Sequence, residues 1–254
     1  MLKVRIITTM LWNGLTLVKG NKFENEKRSA GSPLTTVKIY NSRDVDEILF
    51  FDISRNNKII DKDFILSITD CVSVPITIGG GIEKISQMND LFEYGADKIA
   101  INSIIFKNPN IIDEASKRFG SQAITVSIDV RKINQNYVCY YDLGKIKSNK
   151  KLKDILFECV DRGAGEIVIN CINNDGLMKG YDNDLINQTS SLVNVPVVAS
   201  GGAGNYEHFY EAYKNGADAF AAASIYHFTE HTPAKAKKYL LKKKVPIREN
   251  FIIE

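Results

Sequence analysis

The sequence has little of what metal and redox centres are built from. Its three histidines, His208, His227 and His231, are too few and too scattered for a metal site. The four cysteines, Cys71, Cys139, Cys159 and Cys171, form no CxxC pair and lie near no histidine at metal spacing. That usage fits reduced thiols in a cytoplasmic protein, and no metal or other cofactor is expected. No apolar run approaches the roughly 20 residues of a membrane span, and no signal-type stretch follows Lys3 and Arg5. Charge of one sign is also lacking: 33 basic against 30 acidic residues leave +3, which gives no case for nucleic acid. The basic clusters at Lys147–Lys153 and Lys242–Lys244 read as solvated faces beside helices. Low-complexity tracts, an interdomain linker and a nucleotide-binding GxxxxGK[ST] sequence are all missing.

What is present is an ordinary globular balance, 44% apolar and 25% charged over 254 residues, enough to bury a large core without staples. Short apolar runs alternate with amphipathic stretches. The runs are Val4–Met10, Glu47–Ile53, Pro75–Ile78, Lys98–Asn102, Ala123–Asp129, Glu166–Ile172, Pro196–Ser200 and Ala219–Ala223. Continuous apolar character marks strands buried on both faces. Helical patterns between them end at Gly95, Gly120 and Gly216, which suit helix C-termini. Eight such units predict either a (β/α)8 barrel or an open doubly wound sheet.

A repeat favours the barrel. Val74–Ser103, "VPITIGGGIEKISQMNDLFEYGADKIAINS", aligns without a gap on Val195–Ser224, "VPVVASGGAGNYEHFYEAYKNGADAFAAAS". "DEILFFDI" likewise resembles "GEIVINCI". The expectation is a single (β/α)8 barrel domain over 1–254, built from duplicated half-barrels of roughly 1–120 and 121–254.

Each half carries a Gly-rich turn directly after a strand, "GGG" at Gly79–Gly81 and "SGGAG" at Ser200–Gly204. About 20 residues later each has a strand ending in a small pair, Asn102-Ser103 and Ala223-Ser224. Glycines let backbone N–H groups converge on an anion without obstruction. Gly80, Gly81, Asn102 and Ser103 are therefore candidate phosphate contacts in the first half, and Ser200, Gly201, Gly202, Ala223 and Ser224 in the second. Two cradles on opposite sides of one barrel mouth suit a long phosphorylated ligand with an anion at each end.

These stretches, with "VKG", "RFGSQAITVSID", "GAGEIVI", "DG…GYD" and "AASIYHF", resemble the cyclase subunit of imidazole glycerol phosphate synthase over nearly the whole chain. The resemblance implies a glutaminase subunit docked on the N-terminal face of the barrel and ammonia passing through the core to a bisphosphorylated substrate at the other end. It maps a charged ammonia gate onto Arg5, Glu47, Lys98 and Glu166, for which a plain ion cluster is the alternative. It adds Asp175 and Gly176 to the phosphate site. It also places Asp97 at the glutaminase interface, although the repeat partner Asp218 allows a simple turn residue there.

The family divides acid and base work between aspartates ending strands 1 and 5. Asp129 fills the second position; Leu11 stands at the first, and leucine cannot transfer a proton. "DGL" replaces the family's "DGT", and "NCINN" (Asn170–Asn174) replaces a stretch that carries Thr, Ser and Asp. A second group, paralogues linked to converting a sugar acetamido group to an acetamidino group in surface polysaccharides, resembles the chain more closely: it also carries a leucine-type residue at the first-strand position, with patterns like "VKIYN…VDEI" and "SIDV". There a separate sugar amidotransferase joins the glutaminase and the barrel. Three readings follow: an ammonia-delivering paralogue, a genuine cyclase subunit, or a non-catalytic conduit that activates the glutaminase. Trp12 is expected to wall the pocket in preference to packing on a helix, and His208 and His227 to pack near the second cradle. The insert Asn134–Lys150 is expected to form a hairpin after strand 5, as part of a lid or as packing.

Overall fold

All eight apolar runs become strands of one closed sheet. The computed structural model describes residues 3–24, 27–54 and 61–248. The barrel strands are β1 (Arg5–Trp12), β2 (Glu47–Asp52), β3 (Ile76–Gly79), β4 (Lys98–Ile101), β5 (Ile124–Ile133), β6 (Glu166–Cys171), β7 (Val197–Ser200) and β8 (Ala219–Ala222). Each pairs in parallel with the next, and β8 pairs with β1, which closes the ring of these eight strands. Helices cover the outside. No helix among the described residues is long and apolar enough to cross a membrane.

The period-two geometry of strands explains why these runs are apolar throughout. Outward residues such as Ile6, Phe50, Ile78, Ile128, Ile169 and Phe220 form the large core beneath the helices. Inward residues form a second, small core within the bore: Ile7, Leu49, Val168, Val198, Ala219 and Ala221, with Phe51 packed against it. β5 runs past its expected end at Asp129 because an antiparallel hairpin extends it, from Asp129 opposite Tyr140 to Ile133 opposite Asn136. Asn134 and Gln135 turn that hairpin with φ of 46° and 66°, as a two-residue turn between twisted strands requires.

The recurring "GAD" has a mechanical reading. At the end of helix Ile85–Glu93, Gly95 N–H bonds to the Phe92 carbonyl and Ala96 N–H to that of Leu91. Gly216 and Ala217 repeat this after helix Tyr206–Lys214. These are Schellman stops, which need the left-handed φ of 94° and 95° that the two glycines supply. The alanine is buried, and the aspartate then clamps two strands. Asp97 N–H donates to the Ile76 carbonyl at 2.9 Å while its Oδ2 accepts from Ile76 N–H at 2.8 Å. Asp218 does the same to Val197, and Asp46 to Ile6. Asp46 is further held by the buried Lys237, at 2.7 Å.

The fourth equivalent position, before β6, is Gly165. Its N–H bonds to the Ile124 carbonyl at 3.0 Å, but a Cβ there would lie 2.0 Å from the Ser121 carbonyl oxygen. Backbone cannot yield as a flexible side-chain tip can. Gly165→Ala is therefore expected to lower stability by about 1–3 kcal/mol, as overpacking does, read from the urea midpoint at unchanged slope.

Candidate active site

The polarity of the bore changes from bottom to top. At the N-terminal end Arg5, Glu47, Lys98 and Glu166 come together from four strands in a closed ring. Arg5 pairs with Glu47 at 2.6 Å and also with Glu166; Lys98 reaches Glu47 at 3.0 Å and Glu166 at 3.3 Å. Thr77 donates to Glu47 at 2.8 Å and Thr125 to Glu166 at 3.4 Å from just inside. Above lies the small apolar core. Above that opens a cavity at the strand C-terminal ends, where barrels of this kind place their sites.

Asp129 sits in this cavity, 7% exposed. Asn102 Nδ2 donates to one of its oxygens at 2.7 Å and Asn170 Nδ2 to the other at 2.9 Å. Burial pushes its carboxyl up to about 6, against the pull of those two amides. Leu11 lines the same cavity, with Phe51, Val168 and Ala221. A second carboxylate, Asp52, also lines it and accepts from Ser54 N–H at 2.7 Å.

All the candidate phosphate residues line the cavity, but their side chains divide differently from expectation. The Asn102 side chain donates one of its two amide hydrogens to Asp129. The Asp175 carboxylate holds the buried Lys19 ammonium with both oxygens at 2.6 Å. A like-charged phosphate would meet Lys19, not Asp175. Sequence reasoning missed Lys19 as a site residue, although it lies in the matched stretch "VKG". Ser103 Oγ accepts from Asp142 N–H at 3.0 Å. Gly176 packs against the Gly20 carbonyl, which a Cβ would approach to 2.3 Å. What the two Gly-rich turns offer an anion is chiefly backbone: Gly80, Gly81, Gly201 and Gly202 all have positive φ and line the cavity. Ser200 and Ser224 add hydroxyls, and Ala223 leads into the short helix Ser224–His227.

Trp12 does not wall the pocket. It stacks on Phe64 of helix Lys62–Thr69 with ring centroids 4.6 Å apart. His227 packs between Tyr40 and the Thr9 carbonyl, to which its Nε2–H donates at 3.3 Å, and burial pushes it down to about 4. His208 Nδ1 accepts from Gly204 N–H at 3.1 Å, bracing the second turn. Among the described residues no group of His, Cys, Asp and Glu could hold a metal ion. Asp97 is exposed with one oxygen bound to Ile76 N–H, so a structural reason accounts for it. The insert after β5 is a hairpin (Asn136–Tyr141 with Ile146–Lys151) whose turn reaches the mouth: Leu143 lines the cavity and Gly144 lies against Phe23. Its aromatics pack instead, Tyr141 stacking on Phe106 at 4.8 Å and Tyr137 donating to Asp182 at 2.7 Å.

The raised Asp129 carboxyl fixes a pH signature. It keeps its proton to a higher pH in the fold than in the unfolded chain, so that contribution is full below about pH 4 and is lost as pH rises through about 6. Asp129→Asn has no such dependence. Relative to that variant the protein is expected to lose about 3 kcal/mol over this window and nothing further above it, measured by chemical denaturation at stepped pH.

The sequence pattern of the family described as histidine biosynthesis protein matches residues 12–232. The chain is 40% identical over 251 residues to "Imidazole glycerol phosphate synthase subunit HisF" of Chloroherpeton thalassium, covering 98% of this chain and all of that one. The proteins of the same name from Natranaerobius thermophilus and Chlorobium limicola are 41% identical over 253 residues and 38% over 251, again covering 98% of this chain and all of theirs. A matching length, the closed barrel and this identity agree, and the chain belongs to the histidine biosynthesis protein family, to which these imidazole glycerol phosphate synthase subunits relate it.

Proposed function

We propose that the chain is the ammonia-using subunit of a glutamine amidotransferase complex whose acceptor differs from that of the histidine-pathway cyclase. A glutaminase docks at the N-terminal face, where Asp97 offers one pre-oriented carboxylate. Ammonia enters through the ring of Arg5, Glu47, Lys98 and Glu166. It crosses the apolar layer as the neutral molecule, since burying an unpaired ammonium is far more costly. Asp129 is the group placed to exchange a proton with the reacting atoms as the nitrogen bonds to the acceptor carbon and the activated oxygen leaves. The two Gly-rich turns, with Lys19, hold an acceptor bearing anionic groups.

The observation that carries this reading is Leu11, an apolar side chain lining the cavity that Asp129 shares. Paired acid and base work needs two proton-transferring groups; replacing an activated oxygen by ammonia needs one well-placed group that exchanges a proton. The resemblance to paralogues of acetamidino formation fits such an acceptor, an amide-bearing sugar. Activation of its oxygen falls to a separate sugar amidotransferase, since the sequence carries no GxxxxGK[ST] loop.

The second reading is a genuine cyclase subunit. The shared name of the relatives at about 40% identity favours it, as does Asp52 in the same cavity. Turnover of the bisphosphorylated ribulosyl precursor with ample ammonium salt separates the two. The proposal expects a rate about 100- to 10,000-fold below that of a relative with both acids, and a substantial regain in Leu11→Asp, because one positioned acid or base contributes about that factor. Ordinary turnover by the unaltered protein rejects it in favour of the cyclase.

A further inference from the structure

One residue joins the second Gly-rich turn to the buried carboxylate. Asn170, on β6, is 8% exposed and lines the cavity. Its Nδ2 donates to Asp129 at 2.9 Å, and its Oδ1 is buried without a hydrogen-bond partner among the described residues. That oxygen faces the turn: a Cβ on Gly201 would lie 2.7 Å from it. An amide has one donating and one accepting end, and turning it over exchanges them. As it stands, the donor serves a charged Asp129 and the acceptor is presented to Gly201. An anion held at this turn repels the oxygen and attracts the NH2 group. The reversed amide would then point its oxygen at Asp129, which can satisfy it only by carrying a proton.

We propose that Asn170 couples anion binding at Ser200–Gly202 to protonation of Asp129, so that a phosphorylated ligand converts this residue from proton acceptor to proton donor. The coupling rests on the reading that this turn holds an anion. The proton comes from solvent and no other bond changes. By linkage, anion affinity falls as pH rises through the Asp129 titration. The titratable groups around Asp129 are Cys139 and Tyr140 on the neighbouring hairpin strand, and Asp175 with its Lys19 partner. Burial holds Cys139 up at about 12, a neutral thiol. Asp129 itself, near 6, is placed to change charge close to neutrality.

Sulfate is the probe, because its own charge is constant over the range. Calorimetric titration of sulfate into the intact protein, in buffers of different ionisation heat across pH 5–8.5, counts the protons taken up. The expected result is about half a proton per sulfate where Asp129 is half ionised, and a protonated-carboxyl band in the infrared difference spectrum. Asp129→Asn should bind sulfate with neither. Asn170→Ala should keep binding but lose most of the uptake at every pH. Equal uptake in Asn170→Ala, or none in the unaltered protein, overturns the coupling alone. No sulfate binding at any pH overturns the anion reading of the turn and the coupling with it.

Discussion

A closed eight-stranded parallel barrel has an interior just wide enough for side chains to fill, so a charge placed inside it must be paired within its own layer. The rest of the structure depends on this constraint. It forces the four charges at the bottom to neutralise one another, because Glu47 and Glu166 are almost wholly buried and would otherwise be unpaired carboxylates. It forces the next layer to be small and apolar. It lets polarity return only where the strands end and the Gly-rich turns begin. There the buried Asp129 carboxylate has its ionisation set by two amides and by burial.

Much of this was legible in the sequence, and the reason is physical. Continuous apolar runs and an ungapped repeat demand strands buried on both faces, and the barrel is the closed way to provide them. The turns announced themselves because glycine is needed where φ is positive. Trp12 shows a reading that parity could have corrected: if Arg5 points inward, so do Ile7, Thr9 and Leu11, and Trp12 must point out onto Phe64. Lys19 escaped because its meaning lies in Asp175, far along the chain, and no local pattern joins them. The ring was likewise invisible to composition and periodicity; only the family resemblance selected its members.

Two of the site's amides illustrate a subtler limit. Asn102 and Asn170 read as polar strand ends, and nothing local says which way an amide faces. Their joint grip on Asp129 emerges only when β4, β5 and β6 lie side by side. The strand-entry aspartates are the opposite case: once Asp46, Asp97 and Asp218 are seen to make one clamp, the "GAD" repeat becomes a device for joining a helix stop to a strand pair.

The polar links between strands also join the two halves of the chain. Glu166 closes a ring whose other three members come from the first half of the chain. Asp129 is held by an asparagine from each half, Lys19 reaches across to Asp175, Tyr40 to His227, and Lys237 returns to Asp44 and Asp46. Each half supplies incomplete pieces of this network. The polar network of this barrel belongs to the seam between its two halves.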